Sequence, residues 1–253
     1  MKFFNKIRQK ILSGGQADKT GRYLKYAFGE IILVVIGILL ALQINNYNGN
    51  LKDQREITNT LEKIAEELAE AKEKEKKFIA SSDNLISQIK KLLIIVKEAN
   101  PDSLEQHKDY VGAVATNWSN NRSFPFFQEF IKGKNLNKIK SKEIRNSFRT
   151  LENNIEDLNY FDETIETQYL QTIEPYFIKN INYSSVALFP YRDSLISGGP
   201  RTNYTELSNN LEFWNIITLK LELTSFHRGR QIRFLEFITK LEEDLSNEIK
   251  NMR

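Results

Sequence analysis

Three clusters of side chains hold residue types that could do chemistry. His227-Arg228-Gly229-Arg230 sets two guanidinium groups beside an imidazole, a composition suited to holding an anion. The bland reading of the same tetrad is a polar break in a helix. Phe124, Phe126, Phe127 and Phe130 crowd four rings into seven residues. Such rings either pack a core or line a pocket for an apolar ligand. The candidate pocket residues are therefore Phe124, Phe127, Phe130, His227, Arg228 and Arg230. The third cluster, Glu105-Gln106-His107-Lys108-Asp109, puts an imidazole among acids, but a helix spreads these residues around its surface instead of converging them on a metal.

The rest of the inventory is mostly negative. The chain has no cysteine and only two histidines, His107 and His227, in 253 residues. That excludes disulfides, thiolate metal sites and a cysteine nucleophile, and leaves little for general-base work. There is no phosphate-binding glycine loop, no paired-glycine dinucleotide turn and no Gly-x-Ser-x-Gly elbow. No enzymatic activity, cofactor or metal is expected.

The elements that must position these residues begin with a charge asymmetry. Residues 1–29 carry seven basic side chains and one acid, for +6, whereas the whole chain is only +3. Residues 30–253 are thus net −3. The basic character lies in the N-terminus and not on a folded face, so nucleic acid is not an expected partner. Phe3, Phe4, Ile7, Ile11 and Leu12 share one helical face that Lys2, Lys6, Arg8 and Lys10 mostly avoid. This pattern suits a basic amphipathic helix on an anionic leaflet, the alternative being a disordered basic tail.

Twelve uninterrupted apolar residues follow, Ile31 to Leu42. Extended to Tyr26–Ile44 the segment is 19 residues, roughly 28 Å as a helix and long enough to cross a bilayer. A cleaved signal peptide fits poorly, because Leu-Gln-Ile-Asn-Asn follows where small residues would be needed. An uncleaved anchor is expected, with the basic flank in the cytoplasm. Localisation would be a bacterial inner membrane with the bulk of the chain periplasmic. At 100° per residue Glu30, Gly37 and Ala41 share one face of this helix. Gly37-x-x-x-Ala41 lets two helices approach closely, so a homo-oligomer through the membrane helix is an expected partner state. An acid at a membrane edge is a functional candidate, the alternative being that Glu30 reaches the headgroups.

The run from Gly29-Glu30-Ile31-Ile32-Leu33-Val34-Val35-Ile36-Gly37 through Ala41-Leu42-Gln43-Ile44-Asn45-Asn46-Tyr47-Asn48 resembles the N-terminal signature of a family of uncharacterised single-span membrane proteins from Bacteroidota. Phe3-Phe4-Asn5-Lys6-Ile7-Arg8 is similar to that family's opening stretch. Phe130 to Ile139, with Ile144-Arg145 after it, is similar to a Ser-Gly-x-Leu-x-x-Ile element. Tyr47 stands where Trp is commoner, and Lys132 replaces the Ser. The resemblance implies a membrane-anchored protein and carries over no ligand or catalytic residue.

Beyond the membrane segment the apolar periodicity is helical. Ile57, Leu61, Ile64, Leu68, Ala71, Glu75, Phe78, Ser82, Leu85, Ile89, Leu92 and Val96 step by four and three. Ten of the twelve are apolar, twice what composition alone would give, so a long helix over 50–98 is expected. The charged run 72–77 should make its middle wet. Leu92 to Val96, apolar all round, should be buried. Pro101-Asp102 should break the helix and cap the next. Leu104, Val111, Val114, Ala115 and Trp118 suggest one short helix. Gly133 should end the phenylalanine helix, and Ser141 should cap a second long one carrying Ile144, Phe148, Leu151, Ile155, Leu158, Ile165 and Tyr169 and ending before Pro175. Residues 175–204, with Pro175, Pro190 and Pro200, read as irregular. A last helix is expected from Glu206 to Lys250, kinked at the His227–Arg230 tetrad. Leu207, Leu211, Trp214, Ile217 and Leu221 form its first apolar face, and Ile232, Leu235, Ile238, Leu241, Leu245 and Ile249 its second.

The sequence thus reads as all-α: a cytoplasmic tail (1–25), one transmembrane helix (26–44) and an elongated antiparallel helical bundle (45–253). The expected role is a non-enzymatic interaction or scaffold module with an unidentified protein partner. The alternative is a ligand-sensing domain that signals through a separate partner.

Overall fold

A computed structural model describes residues 19–117, 122–188 and 191–252, with side chains from Tyr26 onward. The amphipathic stretch 1–12, Trp118 and Pro190 lie outside the described residues. Every regular element described is helical. The chain divides into two units, 1–56 and 57–253, and the first helix, α1 (Lys19–Lys97), contributes to both.

In the first unit the apolar run stands bare. Ile31, Val34, Leu39 and Leu42 are 60, 61, 57 and 52% exposed. An added Cβ at Gly37 would meet nothing within 4 Å.

The second unit is built on the expected seam. Ile57, Leu61, Ile64 and Leu68 bury at one end of its stretch of α1, and Leu85, Ile89, Leu92 and Val96 at the other. Ile94 is exposed, so the Leu92–Val96 run is not buried all round. The chain leaves α1 through Ala99, at φ 50°. Asn100, not Asp102, caps α2 (Pro101–Gln106). Its side chain accepts from the Asp102 and Ser103 N–H groups at 3.0 and 3.1 Å, because Pro101 occupies the first helical turn and Asn100 is the last non-helical residue. A turn at His107-Lys108 then separates α2 from α3 (Asp109–Val114), where one helix was expected. A Cβ at Gly112 would fall 1.9 Å from the Val186 carbonyl, so only glycine permits this approach of α3 to α7 (Tyr183–Val186).

The phenylalanine helix α4 (Pro125–Lys132) ends at Gly133 as expected, and a 3₁₀ turn follows over Asn135–Lys138. Ser141 caps α5 (Lys142–Gln168), accepting the Ile144 N–H at 3.2 Å. Pro175 does not end that helical path. The chain widens into a π turn at Tyr169–Ile173, where the Glu174 N–H donates to the Tyr169 carbonyl, and continues as α6 (Glu174–Asn180). Proline is tolerated there because it sits in the first turn of the new helix. The segment to 203 is partly ordered by α7 and by Asn182, whose Nδ2 donates to the Gly198 and Pro200 carbonyls at 2.8 Å each. Gly198 and Gly199 take φ of 129° and 89° there.

The last stretch is two helices, α8 (Tyr204–Ser208) and α9 (Leu211–Met252). α9 continues unbroken through the His227–Arg230 tetrad, where a break was expected. Gly229 costs a helix interior about 1 kcal/mol relative to alanine, which the packing of the residues on either side offsets. Leu211 is 72% exposed, and Phe213 and Ile216 take its place inside.

Two apolar clusters result. One joins Ile57–Leu68 of α1 to Phe124, Phe127 and Phe130, to Ile144–Leu158 of α5, and to Phe234–Ile249 of α9. The other joins Leu85–Val96 to α2, α3, α6 and the Phe213–Ile217 end of α9.

Candidate functional site

Along each long helix the buried face is apolar at both ends and polar in between. On α9 it runs Ile217, Lys220, Thr224, His227, Gln231, Phe234, stepping by three and four without interruption. On α5 it runs Leu158, Asp162, Ile165. On α1 it passes Glu75, half-buried Phe78 and Ser82. The middle of the α1 seam is therefore not wet: Glu75 is 1% exposed, because its neighbours on other elements cover it.

Arg122, from the loop after α3, reaches into this layer. Its Nε donates to Glu75 Oε1 at 2.7 Å and its Nη2 to Glu75 Oε2 at 3.4 Å. Its Nη1 donates to Asp162 Oδ2 at 2.6 Å. Asp162 Oδ1 lies 3.2 Å from His227 Nε2, an ion-pair distance without hydrogen-bond alignment. The His227 ring meets Phe78 edge to face, with centroids 6.3 Å apart. Beside it Ser82 Oγ donates to Gln231 Oε1 at 3.4 Å, and the Gln231 Nε2 is buried without a partner among the described residues. The Arg122 guanidinium thus ties its loop to α1 and α5 through charge-assisted bonds, with His227 of α9 packed alongside. Burial pushes the Glu75 carboxyl above its ordinary value, with the Arg122 guanidinium pulling it back.

About two turns before His227 on α9, Lys220 is 2% exposed. Its Nζ donates to the Thr116 carbonyl at 2.7 Å, and burial draws its pKa down to about 8. Thr116, Asn117, Phe78, Tyr169, Tyr183 and Tyr191 border a cavity of ≈ 510 Å³.

The candidates named from sequence are scattered among these features. Phe124, Phe127 and Phe130 are 1, 2 and 3% exposed, and their rings meet Phe148 and Phe234 edge to face. Phe127 and Phe130 fill space, while Phe124 also borders a pocket of ≈ 290 Å³ that Glu67, Glu75, Arg122 and Lys63 line beside it. Of the His227–Arg230 tetrad only His227 enters the buried layer. Arg228 pairs with Asp83, and Arg230 with Asp157, so neither guanidinium faces an open anion site. Arg230 also lies over the Phe161 and Phe226 rings, at 4.4 and 5.1 Å. Glu30, Gly37 and Ala41 belong to the first unit and are exposed.

Glu67 has a structural task invisible in the sequence. α4 has no side-chain cap of its own. The Glu67 carboxylate, from α1, accepts the Phe126 and Phe127 N–H groups at 2.8 and 3.1 Å and supplies one. Burial nevertheless raises its pKa, against those two bonds. No group of three His, Asp or Glu side chains that could hold a metal ion occurs among the described residues. The chain matches no family model, no curated protein and no solved structure.

Proposed function

We propose that the chain is a single-span membrane protein whose helical bundle, elongated and antiparallel, serves outside the cytoplasm as a non-enzymatic interaction or scaffold module. The observation that carries the reading is the bare apolar run of the first unit, whose side chains from Ile31 to Leu42 stay exposed among the described residues. Lipid satisfies such a surface at no cost, and water does not. The antiparallel arrangement is supported by pairs that rise along α1 and fall along α9, Lys72 with Glu242 and Asp83 with Arg228. The scaffold role is supported by the closure of Arg122, Arg228 and Arg230 on carboxylates and of the phenylalanines on one another. The second reading, a ligand-sensing domain, draws on the ≈ 510 Å³ cavity and its tyrosines.

Orientation is the accessible test. A reporter enzyme active only outside the cytoplasm, fused after Arg253, is expected to be active. A fusion that is expressed in full length and inactive would reverse the topology and remove the extracytoplasmic role.

A further inference from the structure

The ≈ 510 Å³ cavity of the second unit falls within the range of about 300–1,000 Å³ typical of ligand pockets. Phe78, Tyr169, Tyr183 and Tyr191 line it with Thr116 and Asn117, and no charged side chain does so among the described residues. We propose that this cavity is a saccharide site: it takes a neutral, hydroxyl-bearing ring whose apolar face lies on an aromatic side chain and whose hydroxyls bond the phenols and the Asn117 amide. The proposal rests on the ligand-sensing reading and gives it a ligand class.

The chemistry of the lining selects that class. An anion or a cation would shed its hydration in a cavity that offers no opposite charge. Lys220 stands behind the wall and not in it, its Nζ donating to the Thr116 carbonyl. A wholly apolar ligand would strip water from phenol and amide groups and give them no partner. A sugar ring is apolar on its face and polar at its edge, and tyrosine is divided in the same way.

The hydrogen-bonding groups are free to act. The hydroxyls of Tyr169, Tyr183 and Tyr191 form no hydrogen bond among the described residues. Tyr183 and Tyr191 are 44 and 66% exposed and form an open rim, and Tyr169 is half-buried. Burial pushes the Tyr169 hydroxyl above its ordinary value of 10, so it stays protonated and able to donate.

Contacts within the protein brace the walls. The close approach at Gly112 seats α3 on α7. Thr116 Oγ1 donates to the Ala113 carbonyl at 2.8 Å. Arg192 Nε donates to the Ala187 carbonyl at 3.0 Å and its Nη2 to Asp109 Oδ1 at 2.6 Å, which ties the turn bearing Tyr191 to both helices. Tyr169 opens the π turn, a distortion frequent at functional sites. Walls braced in this way leave little to be ordered on binding.

The test is saturation-transfer NMR on the full chain in a polyoxyethylene detergent, whose headgroup carries no sugar. The probes are glucose, maltose and N-acetylglucosamine, with gluconate as the charged comparison and cyclohexanol as the mainly apolar one. At least one sugar is expected to bind, and both comparison probes to bind more weakly. Tyr183→Phe, which keeps the ring and removes the hydroxyl, and Asn117→Ala should each weaken the sugar about two- to tenfold. Both positions are exposed, so the variants keep the fold. Lys240→Ala, on the exposed side of α9, should leave binding unchanged. Sugar binding that neither cavity variant weakens would place the contact elsewhere and overturn the proposal. Binding of gluconate or cyclohexanol with no sugar bound would overturn the saccharide class and leave the ligand-sensing reading standing. Binding of no probe would overturn the proposal and remove the cavity's support for that reading.

Discussion

Replacing Arg122 with methionine keeps most of its volume and removes its charge. Glu75, 1% exposed, would then lose the Arg122 guanidinium, and Asp162 would keep His227 beside it. The layer's cheapest escape is to protonate Glu75. From an ordinary value of 4.5, holding that proton at pH 7 costs about 3 kcal/mol, at 1.36 kcal/mol per unit. This agrees with the 3–5 kcal/mol typical of breaking a buried ion pair on one side. At pH 5 the same escape costs about 1 kcal/mol or less. Arg122→Met is therefore expected to destabilise the second unit by about 3–4 kcal/mol at pH 7 and much less at pH 5. Denaturant unfolding followed by tryptophan fluorescence measures both. Removing the whole set, as Arg122→Met with Glu75→Leu and Asp162→Leu, should restore wild-type stability or exceed it. A single variant that costs under about 1 kcal/mol at pH 7, or one whose cost does not shrink on acidification, would refute the claim that this layer is dry and charge-coupled.

Two further outcomes are expected. Glu67→Ala deprives α4 of its cap and should cost about 1 kcal/mol in the same unfolding assay, while Glu67→Gln, which keeps an acceptor and sheds the buried charge, should cost less; equal losses would contradict the capping role. A Cβ at Gly37 meets nothing within 4 Å among the described residues, so Gly37→Leu probes self-association through the membrane helix. The mass of the detergent-solubilised chain should drop from oligomer to monomer in that variant, and a monomeric wild type or an unaffected oligomer would exclude this face as the contact.

Apolar spacing made much of this fold legible. The α1 seam from Ile57 to Val96, the α5 seam and the Ser141 cap can all be read from residue type and period. The polar layer was less legible for a physical reason. A search for apolar faces stops where polar residues occupy the inward positions, so His227 looks like a break in a helix. Phase is the signal that survives: Ile217, Lys220, Thr224, His227, Gln231 and Phe234 keep the same three-four step across the gap. Glu75, Ser82 and Asp162 likewise sit in register with the apolar residues on either side. Arg122 has no such signal, because it enters from a loop. Glu67 has none either, since it caps a helix some sixty residues away in sequence. The turn at Tyr169–Ile173 was hidden because Pro175 reads as a stop when the backbone before it is assumed to be α-helical.

That wide turn has a consequence for chain length. A π turn holds one residue more than the α-helical turn it replaces, so it offsets everything beyond it by one position. Ile165 before it and Ile173, Tyr176 and Phe177 after it are all buried, which means the extra residue is what brings the second group inward. Losing any one of residues 169–172 would let the segment relax to a regular helix and swing α6 through about 100°, carrying Tyr176 and Phe177 toward solvent. Single substitutions on the outer side of this turn, such as at Leu170, leave the count intact. Drift among descendants of this chain should consequently exchange residues here freely while conserving their number, whereas the exposed segment around Ile196 can gain or lose residues without disturbing the core.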